Sequence, residues 1–243
     1  MWFEAALVAA SCFVAAFCAG MAGFAFVLVA AGILLHFVPP TVTAPVLVLG
    51  SLMAQGISLP ALWRQIDWAR MRLFVLTSAL GVPVGLWILR IGPAAAIVGG
   101  IGIMLVLYSG YMLARVALRM TPPQVAGSAG ADGAVGFASG ILGGIGGFVG
   151  ALPAMWVDIQ GLPKDQARAF MQPFIVFMQA ITTVGLAFTG FFTREALILT
   201  AFATPALILG TVLGLKAYRA LPAQGFRVAL LALLLVSGVS LLI

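Results

Sequence analysis

Few residues in this chain could carry chemistry. Of 243 residues, one is His, two are Cys and six are Asp or Glu. Nucleophilic catalysis needs a base held beside its nucleophile and oriented by a third group. A transition-metal site needs a cluster of His, Cys or acidic ligands. Neither can be built around His36 alone, so an enzyme, a metal site and a cofactor are not expected. Cys12 and Cys18 lie six apart, on different faces of a helix, and read as packing residues without a disulfide. What remains is backbone and neutral polar side chains. Residues 140–153 read GILGGIGGFVGALP, with six glycines in fourteen. Glycine costs a helix interior about 1 kcal/mol relative to alanine, so the helix is expected to break here. A helix restarting after the break points free N–H groups and its positive dipole end into the protein. Anions bind such ends. Gly144, Gly146 and Gly147 are therefore candidate anion-binding residues, with Gly20 and Gly23 of Gly20-Met21-Ala22-Gly23 as a second set. Close helix packing is the alternative role for these glycines.

Two amides lie deep in apolar segments, Gln55 and Gln179. An amide left unpaired in hydrocarbon costs several kcal/mol, so each is expected to face a partner or a cavity. Gln172 and Thr182 join them as candidate substrate-binding residues. Ser51, Ser58 and Thr183 lie on the same segments. Amides and hydroxyls can solvate an oxyanion and leave its charge to the helix ends; interhelical hydrogen bonding is the alternative. His36, Asp158 and Arg168 sit near segment ends and are candidates for coupling or gating, against a plain solvated role. Pro45, Pro153, Pro173 and Pro205 are expected to kink helices or free carbonyls. Trp2, Trp63, Trp68, Trp87 and Trp156 fit an interfacial aromatic belt.

The elements that would position these residues are membrane segments. The chain is 63% hydrophobic and 7% charged, where soluble domains carry about 25% charged residues. Apolar runs of roughly 20 residues exclude a barrel of short alternating strands. The net charge of +6 sits at segment ends and points to topology, not nucleic acid. Glu4 and the lack of a basic start read as a retained segment, not a cleaved leader. Eight segments are expected, roughly 5–38, 41–63, 73–89, 94–118, 133–159, 169–192, 196–215 and 226–243, the first interrupted at Gly20–Gly23.

The halves repeat. A shift of 124 residues pairs Phe13 with Phe137, Gly20 with Gly144, Gly23 with Gly147, Phe24 with Phe148, Leu28 with Leu152, Pro39 with Pro163, Gln55 with Gln179 and Arg70 with Arg194. The expected fold is an all-α polytopic membrane protein of two four-segment repeats, 1–120 and 132–243, joined by a linker at 121–131 that includes Thr121-Pro122-Pro123. Such repeats are a hallmark of transporters that hold substrate near midplane. If all eight segments cross, the twelve Lys and Arg divide evenly between the two sides. If segments one and five turn back at their breaks, ten fall on one side and only Arg90 and Arg194 on the other. Each arm would then have about 15 residues, about 22 Å of helix, short of the roughly 30 Å core. This arrangement makes the repeats inverted and puts both termini outside the cytoplasm.

At this point the sequence resembles the sulfite exporter TauE/SafE family. The residues that carry the resemblance are 140–153, the run Ala167-Arg168-Ala169-Phe170-Met171-Gln172, and the shorter first copy Cys18-Ala19-Gly20-Met21-Ala22-Gly23-Phe24. The duplicated layout and length match over essentially the whole chain. The first copy lacks the proline that Pro153 supplies in the second. The resemblance implies a multi-pass carrier in the bacterial inner membrane for small sulfur-containing anions such as sulfite, sulfonates or sulfoacetate. It also implies secondary transport coupled to protons or to the membrane potential. The expected partners are a small anion and the lipid bilayer, with no nucleic acid. An anion channel, a carrier of another organic anion, a non-transporting assembly factor and, more distantly, an intramembrane enzyme are the other readings. The sequence leaves the oligomeric state open, a homodimer being one option.

Overall fold

A computed structural model describes residues 2–57, 59–118, 120, 125–220 and 223–243. Ser58, Arg119 and the Thr121-Pro122-Pro123 part of the linker lie outside the described residues, as do the side chains of Trp2, Glu4, Lys164, Asp165, Arg219 and Arg227. All secondary structure among the described residues is helical: α1 (Trp2–Ala22), α2 (Phe26–Leu34), α3 (Pro40–Gly56), α4 (Leu59–Leu62) with a short 3-10 turn (Trp63–Gln65), α5 (Trp68–Ile91), α6 (Ala94–Ala117), α7 (Ala129–Gly146), α8 (Ala151–Ile159), α9 (Lys164–Thr189), α10 (Arg194–Ala220) and α11 (Ala223–Ser240). Five stretches are long and apolar enough to cross a membrane: Ala5–Ala22, Trp68–Ile91, Ala94–Ala117, Gln166–Thr189 and Arg194–Ala217.

Both broken segments follow one plan. A long arm ends at a glycine in the left-handed region, Gly23 at φ 88° and Gly147 at φ 82°, and a nine-residue arm follows. A side chain is strained at such φ, so glycine is required there. The amide of Gly23 donates to the Ala19 carbonyl and that of Gly147 to the Gly143 carbonyl, each at 2.7 Å, which closes the long arm in the same way twice. The arms are thus unequal, not the two similar halves expected. The reason is that Gly20, Gly144 and Gly146 stay helical. An added Cβ on Gly20 would meet Gly214 Cα at 2.9 Å, and one on Gly144 would meet Gly85 Cα at 2.8 Å. These glycines let backbones touch and do not break the helix.

The same contacts set the packing. Cβ atoms on Gly81 and Gly85 of α5 would fall on the carbonyl oxygens of Phe137 and Ile141 in α7. Those on Gly210 and Gly214 of α10 would fall on the carbonyl oxygens of Phe13 and Phe17 in α1. Phe13/Phe137 and Phe17/Ile141 are repeat partners at the 124 shift. Each half therefore lends its long broken arm to a Gly-x-x-x-Gly helix of the other half, with the paired helices running parallel. The glycine pairs themselves repeat at 129, so the Arg70–Arg194 match falls outside this packing register. Pro39 and Pro163 stand at matching places, each just before α3 or α9 with nearly the same backbone angles.

The α7–α8 segment turns back. Asp132, in the first turn of α7, accepts from Trp156 Nε1 near the end of α8 at 2.6 Å. Arg70, at the start of α5, donates to both Asp132 oxygens at 3.1 Å and to Gln160 Oε1 at 2.7 Å. Arg70 also lies over the Phe170 ring, 5.0 Å from its centre. Arg115, in the last turn of α6, pairs with Asp158 of α8. Trp156 donates into this polar cluster, whereas Trp63, Trp68 and Trp87 are exposed. Cys12 and Cys18 are buried free thiols.

Candidate anion site at the paired helix breaks

Gln55 is 1% exposed and Gln179 is 0% exposed. Each donates its amide to the carbonyl of the left-handed glycine in its own half: Gln55 Nε2 to Gly23 at 2.9 Å, Gln179 Nε2 to Gly147 at 2.8 Å. The left-handed turn aims that carbonyl away from its own helix, and the amide about four turns into α3 or α9 receives it. A buried carbonyl left unpaired would cost roughly 1–3 kcal/mol. The repeat thus builds one lock twice.

Around the locks the two halves differ. Gln172 Nε2 donates to Gln55 Oε1 at 3.2 Å, and Gln172 Oε1 accepts from Arg168 Nε at 3.1 Å. Arg168, Gln172, Gln55 and the Gly23 carbonyl form one directed chain of hydrogen bonds. At the 124 shift, Val48 stands where Gln172 does. An added Cβ on Gly147 would meet Val48 Cγ2 at 3.0 Å. No amide is there to donate, and Gln179 Oε1 is buried without a partner. The hydroxyl of Thr182, 0% exposed, is also buried without a partner, and it faces Gly143. Thr183 is occupied within its own helix, donating to the Gln179 carbonyl.

A small pocket lies where the breaks meet. Its walls include Phe24, Val27 and Leu28 at the start of α2, Gly147, Phe148 and Ala151 at the start of α8, Ser51 of α3 and Gln179 of α9. Phe24 and Phe148 are repeat partners and bracket it from both halves. It has room for about one water molecule. No side chain caps α2 or α8 at its N-terminus, so both positive helix ends bear on this space.

Of the expected substrate-binding residues, Gly147 and Gln179 line the pocket. Gly23, Gln55 and Gln172 form the adjoining chain, while Gly20 and Gly144 serve helix packing and Gly146 packs on the Phe148 ring. The three gating candidates do not come together. His36 Nε2 meets Ser240 Oγ at 2.9 Å on an exposed edge, Asp158 pairs with Arg115, and Arg168 joins Gln172. Sequence reasoning missed Val48 and the paired phenylalanines as site residues; the Phe24–Phe148 match on the repeat shift was the available signal. It also missed the two Gly-x-x-x-Gly pairs, whose shift of 129 an ungapped comparison at 124 cannot register. No curated protein and no solved structure matches the chain significantly. The family model described as Sulfite exporter TauE/SafE matches residues 8–241, nearly the whole length that forms the two broken-helix halves and their shared pocket, and the chain belongs to that family.

Proposed function

We propose that this protein is a secondary carrier that moves a small sulfur-containing anion across the bacterial inner membrane. The observation that carries this reading is the pocket between two uncapped helix N-termini, one from each half, with no cation among the described residues of its wall. Two positive dipole ends attract an anion without binding it too tightly for release. Ser51 offers a hydroxyl donor. The family's description, sulfite exporter, supports the choice of anion.

The present pocket has room for about one water molecule, less than a sulfur oxyanion needs. Loading therefore requires the halves to part, which suits alternating access better than an open channel. The contacts of Asp132 with Trp156 and Arg70 support a re-entrant α7–α8, and the ten-to-two charge division supports inverted repeats with both termini outside the cytoplasm. Side-specific reporters on each terminus test that topology, and a cytoplasmic C-terminus would overturn it.

The function is tested in proteoliposomes. Uptake of sulfite, sulfoacetate, taurine, sulfate and small carboxylates is measured with and without a pH gradient or membrane potential. Saturable uptake of at least one sulfur anion is expected. Uptake of none of them overturns the proposal, and non-saturating flux favours a channel.

A further inference from the structure

We infer that the pocket is built for an anion that carries its own hydrogen-bond donor, and that Gln179 Oε1 is the group that reads it. This rests on the anion-carrier reading above. Gln179 has one possible orientation. Its Nε2 must face the Gly147 carbonyl at 2.8 Å, because turning the amide over would bring two acceptors together. Oε1 is then fixed as an acceptor at a residue that lines the pocket, buried and without a partner. An amide cannot leave this position by ionising. Its unmet need is a donor, and bare oxyanions have none.

The first half shows that the fold can satisfy this acceptor. Gln55 is locked in the same way, and its Oε1 receives Gln172 Nε2. Only the second half, with Val48 at the matching place, leaves the oxygen unpaired, and only the second lock lines the pocket. The site therefore combines two positive helix ends with an amide oxygen fixed as an acceptor. That combination fits a monoanion with its own O–H: the singly protonated form of sulfite, or a sulfonate with a hydroxyl group. A fully deprotonated oxyanion would meet the carbonyl dipole head-on.

The test uses the whole protein in proteoliposomes that take up sulfite. Competitors are 2-hydroxyethanesulfonate and ethanesulfonate, which carry equal charge and differ by one hydroxyl, so proton coupling cannot separate them. The hydroxylated competitor should act roughly tenfold more strongly on the wild type, the value of about one hydrogen bond. Gln179→Leu should bring the ratio of the two toward one. Val48→Gln, which offers Oε1 an internal donor, should do the same and serves if the first variant does not fold. Equal competition in the wild type, including none by either, overturns the inference while sulfite uptake keeps the carrier reading. An unchanged ratio in the folded variants also overturns it. Absence of sulfite uptake in the wild type counts against the carrier reading itself.

Discussion

Gly23 and Gly147 occupy the same turn, adopt the same left-handed backbone and accept the same amide bond from a glutamine 32 residues on. Their surroundings then part. The first lock is backed by Gln172 and Arg168, and its oxygen already accepts a hydrogen bond. The second is backed by Val48 and keeps an open acceptor at a pocket. The two locks share one geometry, and the difference between Val48 and Gln172 leaves the second oxygen unpaired while the first is bonded. The unequal pair leaves the first lock fully backed and the second with an unpaired oxygen.

The frame common to both halves is where damage should be greatest. Gly20→Val and Gly144→Val place a branched side chain against the backbone of α10 or α5. Overpacking commonly costs about 1–3 kcal/mol and more when backbones must separate. Both variants should lose most monodisperse protein on size exclusion in detergent, and to a similar degree. Gly99→Val, where nothing lies within 4 Å of an added Cβ, should stay within about 0.5 kcal/mol of wild type. A folded Gly144→Val would deny that the crossed packing holds the halves together.

The glutamines separate the halves. Gln55→Leu strands the Gly23 carbonyl and Gln172 Nε2, two buried groups, for a loss of about 3 kcal/mol. Gln179→Leu strands only the Gly147 carbonyl and removes an acceptor that was already unpaired, for about 1 kcal/mol. Thermal unfolding midpoints in one detergent should fall in that order. Equal losses would mean that the two locks do the same work.

Much of this frame was legible because identical residues recur at one spacing. Gly23/Gly147 and Gln55/Gln179 stand out against an apolar background in which most matches are uninformative. The length of each arm was not legible. Glycine content predicts a break, but whether a given glycine breaks the helix depends on what it faces. Gly144 faces Gly85 and stays helical, while Gly147 turns. The open acceptor was also hidden, because it depends on what Val48 fails to donate across the interface between α3 and α9. The role of Trp156 needed Asp132, which is near it only because the chain doubles back.

The short arms differ at their far ends as well. The end of α8 is held by Arg115 on Asp158 and by Arg70 through Asp132 and Gln160. Asp158 is partly exposed, so Asp158→Asn should cost about 1–2 kcal/mol, less than a fully buried pair. If α8 must move for the pocket to open toward that end, the variant should also raise the rate of exchange across the membrane. An unchanged exchange rate at reduced stability would make the pair purely structural.

The end of α2 should show the smallest effect. His36, at the place matching Gln160, is exposed, and its ring meets Ser240 Oγ. A neutral bond at an exposed edge competes with water, so its net contribution is small. His36→Ala should shift unfolding by no more than about 0.5 kcal/mol and leave saturable uptake within the scatter of wild type. The comparison with Asp158→Asn is then direct, since the two positions close the same short arm in opposite halves. A large loss of transport from His36→Ala in a stable protein would reverse the assignment, making the lightly held arm of the first half the one whose movement governs the cycle.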